Sequence, residues 1–350
     1  MNETALVVAT GMRTSVGLSS KETAASVAST LTRLTESSLC DRRFRPFVLG
    51  EIPSEGLPPL HEELVGAGLT VRERRLVRLA VGALLECIEA VPEGPAPPRI
   101  ILVVPEAPTT RDLAVDHVGG WIAIQAGRPD LAGAIRVVPG GRATGLAMVG
   151  RAGRLFAERG GLLMVGGVDT YRDPWLLGHL DRDGRARTDD NLDAFTPGEG
   201  AGFVLLAAER DVPPGLTPLA RVEAAVEGTE EATITSEAPF LGSGLATALA
   251  DLGRSREGGE PFQQVLSSMN GERYWSKEWG VAAVRSAALL AEGHELVHPA
   301  DCYGDAGAAA GPLLVGLGAQ GIAAGRRPAP ILVTASSDGP ERVALSLTAT

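Results

Sequence analysis

Aromatic residues and cysteines are scarce in this sequence. Phe, Trp and Tyr make up 4% of its 350 residues, and its three cysteines are Cys40, Cys87 and Cys302. No two of these cysteines have the C-x-x-C spacing, so the sequence indicates neither a disulfide framework nor a zinc knuckle. Because glycine (44) and proline (24) are plentiful, small residues must do much of the packing in the core.

Basic residues are few relative to acidic ones. The chain has 32 Lys and Arg against 43 Asp and Glu, which gives a formal net charge of -11. Nucleic acids and anionic membrane surfaces attract basic patches, so neither is predicted to be a partner. The sequence also lacks an uninterrupted apolar run of about 18 residues and an N-terminal leader pattern, which predicts a cytoplasmic location.

The five histidines give no metal-binding pattern. His294 and His298 are four residues apart, a spacing that places two ligands on one helix face. Pro299 and the strand-like residues before it make a single helix there unfavourable. We therefore predict no bound metal, and no motif in the chain indicates a cofactor.

Strand-like and helix-like segments alternate along two successive halves of the chain. This alternation favours an α/β protein with a mostly parallel sheet, helices on both faces and an internal duplication. The proline-rich residues 208–220 mark the expected joint. They predict an N-terminal half at residues 1–212 and a C-terminal half at residues 213–350.

Local patterns predict several individual elements. Helices are expected over residues 71–89, 143–158 and 277–291, where apolar residues recur at helical spacing. Residues 42–66 are rich in proline and glycine. We expect them to form an excursion over the surface.

The most informative motif is DAFTPGEGAGFVLLAAERD at residues 193–211. In it an acidic residue and an aromatic precede G-E-G-A-G, which runs directly into an apolar strand. The motif resembles the β-ketoacyl synthase (3-oxoacyl-ACP synthase) family of the thiolase superfamily, whose members carry a similar run. We predict that Gly198, Glu199, Gly200 and Gly202 are structural residues of this motif.

Four other stretches extend the resemblance over nearly the whole chain. ALVVATGMRTSVGLSSKETAASV resembles the family's opening strand, glycine turn and first helix, and GGLLMVGGVDTY resembles a later strand and bend. VLSSMNGERYWSKEWG and YGDAGAAAG fall where the family has its two histidine-bearing elements. The resemblance implies a duplicated thiolase-like fold of five layers, αβαβα, which is usually dimeric and has its active site where the halves meet.

Three catalytic positions of that family carry other residues here. The resemblance implies a cysteine nucleophile at a helix N-terminus, where the helix dipole lowers the thiol pKa, and two histidines that assist decarboxylation. Arg142 stands at the cysteine position, Asn270 at the first histidine and Asp305 at the second. Asparagine cannot shuttle a proton, and an aspartate repels an enolate. No catalytic residue is therefore expected.

An arginine at the start of a helix needs a neutralising neighbour. Without one, its charge is unfavourable there by about 0.3–1 kcal/mol. The resemblance places Asp305 in the same pocket, so we predict an ion pair in which Arg142 plugs the site. The alternative is that Asp305 only caps the helix that begins near Gly307.

Five residues near the expected pocket are candidates for binding a ligand: Thr144, Glu272, Arg273, Tyr274 and Tyr303. For the GERYWSKEWG stretch, the alternative is an amphipathic helix start with a packed tryptophan. Thr144 would be a nucleophile only with an adjacent base. Its alternative role is packing at the helix start.

These features predict a non-catalytic ketosynthase-like protein that binds a partner protein or an acyl or small-molecule ligand. Expected partners are a second copy or a ketosynthase-like chain in a dimer, and an acyl carrier protein or a CoA thioester. One alternative is an active acyltransferase of fatty acid or polyketide biosynthesis that uses Glu272, Asp305 or Thr144. Another is an accessory or adaptor role, implied by a resemblance to the thiolase-like proteins encoded beside type VI secretion genes.

Overall fold

The computed structural model describes residues 3–90, 97–106, 113–188 and 191–350. Within these ranges the chain forms twelve strands, β1 to β12, and eleven α-helices, α1 to α11. In chain order the strands are Ala5–Thr14, Thr35–Cys40, Pro46–Leu49, Arg99–Val104, Ile135–Pro139, Leu162–Thr170, Glu199–Ala208, Ala220–Thr229, Phe262–Ser267, Leu290–Val297, Ile331–Ser336 and Glu341–Thr348. The helices are Ser20–Ala28, Glu62–Val65, Val71–Glu89, Val115–Gln125, Thr144–Gly150, Ala152–Arg159, Pro174–Arg182, Ser243–Ser255, Arg273–Arg285, Ala300–Tyr303 and Ala310–Ala323.

Ten of the strands form one mixed sheet that consists of two similar parts. The N-terminal part has the order β5-β4-β6-β7-β1, and the C-terminal part has the order β10-β9-β11-β12-β8. In both parts the first two pairings of that order are parallel and the last two are antiparallel. The parts are joined where the first residues of β1 pair with β8. The same topology in both halves is what a duplication predicts.

Helices cover both faces of each part and create five layers. Helices α3 and α4 pack outside the N-terminal part, and α8 and α9 pack outside the C-terminal part. Helices α1, α5, α6 and α11 lie between the two parts, where α11 contacts both β7 and β12. Three buried apolar clusters correspond to the three helix layers. The predicted five-layer α/β architecture is confirmed.

The connection between the halves runs from the end of β7 to the start of β8. Strand β7 ends at Ala208 and β8 begins at Ala220, so the connection coincides with the proline-rich residues of the sequence. The proposed division between residues 212 and 213 falls inside this connection. That division stays a prediction.

Helix α3 has the bounds that the sequence pattern predicts, because its start and its buried face are both encoded locally. The Thr70 hydroxyl accepts a hydrogen bond from Glu73 N at 3.2 Å, and the Glu73 carboxylate accepts one from Thr70 N at 2.7 Å. This reciprocal capping box satisfies two N–H groups at the helix start. The buried face of α3 also carries Arg75, which reaches the G-E-G-A-G motif.

Two predicted helices differ from the structure. The helix expected over residues 143–158 is divided into α5 and α6, which meet at Arg151 directly after Gly150. The helix expected over residues 277–291 starts and ends earlier as α9, and its last expected residues begin β10. Pairing of β10 with β9 decides this second case, and the helical periodicity of one segment carries no information about a partner strand.

Residues 42–66 run over the surface, as their composition predicts, but they are anchored by several buried side chains. They contain β3 and α2, and Phe47, Leu49 and Ile52 are only 1–3% exposed. Phe47 and Leu49 pack against α7 in a small fourth apolar cluster. Burial of these apolar side chains outweighs the local preference of proline and glycine for loops.

The described residues give two further findings about the chain as a whole. None of their helices is both long and apolar enough to span a membrane. The same residues contain no group of three or more His, Cys, Asp or Glu side chains placed to hold a metal ion. His294 lies in β10, and His298 follows it and pairs with Asp301 at 2.7 Å.

Candidate functional site

Arg142, Asn270 and Asp305 meet where the two halves of the fold face each other. Arg142 lies in the turn from β5 into α5, Asn270 follows β9, and Asp305 lies between α10 and α11. Both β5 and β9 are parallel to their neighbours, and their carboxyl ends form the edge where α/β sheets usually place binding sites. All three side chains are buried, with 3–6% of each residue exposed.

The Arg142 guanidinium is held by two carboxylates. Its Nε donates to Asp305 Oδ2 at 2.7 Å, and its Nη2 lies 2.6 Å from the same oxygen. Its Nη1 donates to Asp338 Oδ1 at 2.7 Å. Burial alone would lower the pKa of Arg142, but the two carboxylates raise this pKa well above its usual value. Arg142 is therefore charged and fixed in position.

Arg185, Glu272 and Asn270 extend these pairs into a closed ring of side chains. Arg185 donates from Nη1 to Asp338 Oδ2 at 2.6 Å and from Nε to Glu272 Oε1 at 2.8 Å. The Asn270 amide donates to Glu272 at 3.2 Å and to Asp305 at 2.7 Å, which closes the ring. We call this set the ion-pair ring; in order its members are Asp305, Arg142, Asp338, Arg185, Glu272 and Asn270. Its five charges alternate in sign.

Two aromatic rings pack against the arginines of the ion-pair ring. The Phe195 centroid lies 5.9 Å from Arg142 Cζ and 5.4 Å from Arg185 Cζ. The Trp275 ring lies 5.4 Å from Arg142 Cζ, and its indole N–H donates to Glu272 Oε2 at 3.0 Å. A guanidinium that is removed from water interacts more strongly with an aromatic face than an exposed one does. Phe195 therefore stabilises both arginines, and Trp275 stabilises Arg142.

Asp305 has both of the roles that the sequence leaves open. Its Oδ2 pairs with Arg142, while its Oδ1 accepts a hydrogen bond from Gly307 N at 2.8 Å. Gly307 begins the helical turn that leads into α11. Because the two carboxylate oxygens point to different partners, capping and ion pairing do not compete.

A cavity of about 50 Å³ remains beside Arg142. Its lining includes Glu106, Gly141, Asp169, Tyr171 and Asp338. A cavity of this size has room for a few water molecules. The ion-pair ring occupies the space around it.

Glu106 lies on the wall of this cavity near other carboxylates. Burial raises the pKa of Glu106 to about 7, and the charges of Glu341 and Asp338 add to the rise. The ordinary value is 4.5, so between these two pH values the folded protein holds a proton that the unfolded chain has released. This group therefore makes the protein less stable as the pH rises through that window.

We expect Glu106→Gln to stabilise the protein at about pH 8 by on the order of 1–2 kcal/mol, because the uncharged amide removes the cost of holding a charged carboxylate at this site. The gain is no larger because solvent screens part of that cost in the wild type. At about pH 4 the gain should disappear, since the wild-type carboxyl is then largely protonated in both states. Urea unfolding at both pH values measures the change. The exposed Glu55→Gln is the control. An equal gain at both pH values would contradict the assignment.

Glu199 of the G-E-G-A-G motif is fully buried at the centre of a second network. Its Oε2 accepts hydrogen bonds from Arg75 Nε at 2.5 Å and from the Thr170 hydroxyl at 2.7 Å. Its Oε1 accepts one from Ile52 N at 2.7 Å. Glu199 therefore ties β7 to α3, to the end of β6 and to the segment after β3.

The glycines of the motif permit a close approach of backbones. A Cβ at Gly198 would lie 2.5 Å from the Tyr303 carbonyl oxygen, and one at Gly202 would lie 2.8 Å from Leu313 N. A Cβ at Gly200 would lie 2.8 Å from the Arg13 carbonyl oxygen. Larger residues at Gly198 and Gly202 would push this segment away from α10 and α11, which flank Asp305, and a larger residue at Gly200 would collide with β1.

The structure brings one of the five ligand-binding candidates, Glu272, into the ion-pair ring. Of the other four, Arg273 has a side chain that is 69% exposed and lies beside Asp193. Tyr274 donates its hydroxyl to the Ala232 carbonyl oxygen at 2.6 Å. Both aromatic residues at this helix start, Tyr274 and Trp275, are therefore engaged within the protein.

Tyr303 and the hydroxyl oxygen of Thr144 are buried inside the protein. Tyr303 is 4% exposed and belongs to the apolar cluster between the sheet parts. The Thr144 hydroxyl oxygen is buried and has no hydrogen-bond partner among the described residues. A hydroxyl becomes a nucleophile through an adjacent base, and those residues place none beside it.

Two members of the ion-pair ring and its aromatic support are missing from the sequence-based candidates. Asp338 lies in the turn from β11 to β12, Arg185 follows α7, and Phe195 precedes the G-E-G-A-G motif. Asp338 is 153 residues from Arg185 and 196 residues from Arg142 in the chain. In the sequence, the one local feature that pointed to any of these three residues was the acidic-aromatic run that contains Phe195.

Comparison with known proteins identifies the fold. No family model matches the chain, and no curated protein matches it. The ishigamide ketosynthase/chain length factor superposes with a TM-score of 0.76 and 15% identity over 100% of both chains. The ketosynthase of the AntDE:AntF complex of a type II polyketide synthase and its acyl carrier protein gives 0.77 and 13% over 100% of both.

A third similar structure is the ketosynthase ApeO in complex with its chain length factor ApeC from Xenorhabdus doucetiae. It gives a TM-score of 0.75 and 14% identity over 99% of this chain and 98% of that chain. Identities this low establish shared architecture only. The chain has the thiolase-like fold of the ketosynthases.

Proposed function

We propose that this protein is a non-catalytic member of the ketosynthase fold that acts by binding a partner. The observation that carries the proposal is the ion-pair ring, which fills the position of the expected nucleophile with a paired arginine. Every charged atom group in the ring faces an opposite charge. Each charged side chain of the ring is thereby held by other side chains of the protein.

The residues of the ion-pair ring do not provide the groups that a condensation reaction requires. A condensing ketosynthase needs a thiolate and groups that donate to an enolate or oxyanion. Here the backbone N–H of Ala143, next to Arg142, already donates to the Ser337 hydroxyl at 3.1 Å. This N–H is therefore engaged and does not serve as an oxyanion donor. Asp305 supplies negative charge where an enolate would develop. The cavity of about 50 Å³ is also far smaller than pockets that hold small-molecule ligands, which start at about 300 Å³.

Partner binding is favoured by the exposed edge of the sheet and by the similar structures. Strand β5 ends the strand order of the N-terminal part and is half-buried or exposed along its length. An unpaired edge of this kind invites another strand. The similar ketosynthases are described with a chain length factor or an acyl carrier protein. We propose a second copy or a ketosynthase-like chain as the dimer partner, and a carrier protein as a further partner.

An acylation assay distinguishes this proposal from the alternative that the protein is an active acyltransferase. The protein is incubated with acetyl-CoA, malonyl-CoA and acylated carrier protein, and its intact mass is measured beside a condensing ketosynthase that has the cysteine. We expect no acyl adduct on this protein and full acylation of the control. An adduct that disappears in Thr144→Val or Glu272→Gln would establish the acyltransferase and overturn the proposal.

The partner is identified by copurification from the native host, followed by light scattering of the isolated complex. Recovery of a ketosynthase-like chain or carrier protein supports the proposal. Recovery of type VI secretion proteins instead would favour the adaptor role. A monomer near 36.2 kDa that recovers no partner would contradict it.

A further inference from the structure

A second cavity lies away from the ion-pair ring. It has a volume of about 430 Å³ and lies between the end of α1, strand β10, helix α10 and the segment after α11. Cavities that bind small molecules start at about 300 Å³. The cavity shares no residue with the ion-pair ring, so an inference about it is independent of the function proposed above.

Arg327 supplies a positive charge to this cavity that the protein compensates only in part. Within the described part of the chain, its guanidinium has no ion pair and no hydrogen bond, although the residue is partly buried. Burial lowers the pKa of Arg327, and Glu295 nearby offsets only part of this. Its aliphatic stem packs close to Gly321. A guanidinium that is partly removed from water and only partly compensated is unfavourable for stability. Arg326, also on the lining, adds a second cation.

Gln264 supplies an unused hydrogen-bond acceptor on the strand wall of the cavity. It is 4% exposed, and its Nε2 donates to Glu295 on the neighbouring strand β10. Its Oε1 is buried and has no partner among the described residues. Most buried polar atoms in proteins are satisfied. An orphaned acceptor on a cavity wall therefore points to a donor that a ligand brings.

The acidic residues of the lining already interact with other residues of the protein. His298 and Asp301 form a pair at 2.7 Å, and Glu295 accepts the Gln264 amide. This leaves the two arginines on the loop wall and the Gln264 acceptor on the strand wall as the free recognition groups. Their chemistry is an anion at one end of a ligand and a hydroxyl or amine donor at the other.

We propose that this cavity binds a small anion, a phosphate or carboxylate, that also carries a hydroxyl or amine donor. The anion pairs with Arg327 and Arg326, and the donor bonds to Gln264 Oε1. Glycerol 3-phosphate and glycerate present the same two hydroxyls on different anions, and glycerol presents hydroxyls without an anion. Comparing the three probes shows whether binding requires an anion and whether that anion is a phosphate or a carboxylate.

Calorimetric titration of the three probes into the full chain, in buffer free of other polyvalent anions, tests the proposal. We expect at least one of the two anionic probes to bind, glycerol not to bind, and Arg327→Met to weaken binding about tenfold or more, since a charge-assisted hydrogen bond is lost. Gln264→Leu should weaken glycerol 3-phosphate or glycerate but not inorganic phosphate or acetate. The matched control is Arg254→Met, which removes an exposed arginine from α8. Failure of both anions to bind at millimolar concentration, or equal binding by Arg327→Met, would overturn the site.

Thermal unfolding distinguishes a binding role from a structural one. Methionine keeps the stem that packs near Gly321 but removes the unpaired charge. Without anions, Arg327→Met should therefore melt at the same temperature as wild type or higher, and its melting temperature should no longer rise when the binding probe is added. A lower melting temperature without anions would mean that Arg327 is a structural residue, and the proposal would fall.

Discussion

Arg142→Met is expected to lower the free energy of unfolding by about 3–5 kcal/mol, the cost typical of breaking a buried ion pair from one side. Asp305 is 3% exposed and would keep only the hydrogen bonds from Asn270 and Gly307 N. Neither donor carries a charge. Arg142→Cys should lower the free energy of unfolding by a similar amount. It should gain no condensation activity, because the negative charge of Asp305 disfavours a thiolate and neither Asn270 nor Asp305 does the work of a histidine.

The reverse variant, Asp305→Leu, should cost less. Arg142 would still pair with Asp338 at 2.7 Å and stack near Trp275, so it would not be left without a counter-charge. Arg142→Met with Asp305→Leu should therefore be more stable than the sum of the single changes predicts. Urea unfolding of the four proteins gives the coupling energy. Equal and additive losses would mean that the pair is not coupled, and malonyl-dependent condensation by Arg142→Cys would refute the non-catalytic function.

Arg75→Met is expected to cause a second large loss, also about 3–5 kcal/mol. Glu199 is fully buried, and Arg75 is the cation that compensates its charge. The remaining donors, Ile52 N and the Thr170 hydroxyl, are neutral. Because Glu199 ties β7 to three other segments, the loss should appear as unfolding of the whole domain in urea rather than as local fraying.

Two further variants make this prediction specific. Adding Glu199→Gln to Arg75→Met should recover part of the stability, since a neutral amide needs no counter-charge. Arg74→Met, on the exposed side of the same helix, should change stability by no more than about 0.5 kcal/mol. If Arg74→Met and Arg75→Met had similar effects, the buried pair would not be a stabilising feature of the fold.

Local features of the sequence were sufficient to predict much of the fold. The capping residue and apolar spacing of α3 are both contained in one segment, so its bounds were predicted correctly. The G-E-G-A-G run and the alternation of strands and helices predicted the thiolase-like architecture. That Arg142, Asn270 and Asp305 lie together was also predictable, because the resemblance assigns each of them to a motif with a fixed place in that fold.

Other features depend on contacts between distant segments, and only the tertiary structure decided them. Leu290 and Ala291 begin strand β10, which pairs with β9, whereas the sequence pattern places these two residues at the end of a helix. Asp338 and Arg185 complete the ion-pair ring from turns that carry no motif of their own. A charged residue in a turn is ordinarily solvated. It becomes part of a site only when the packing of distant segments brings opposite charges within hydrogen-bonding distance.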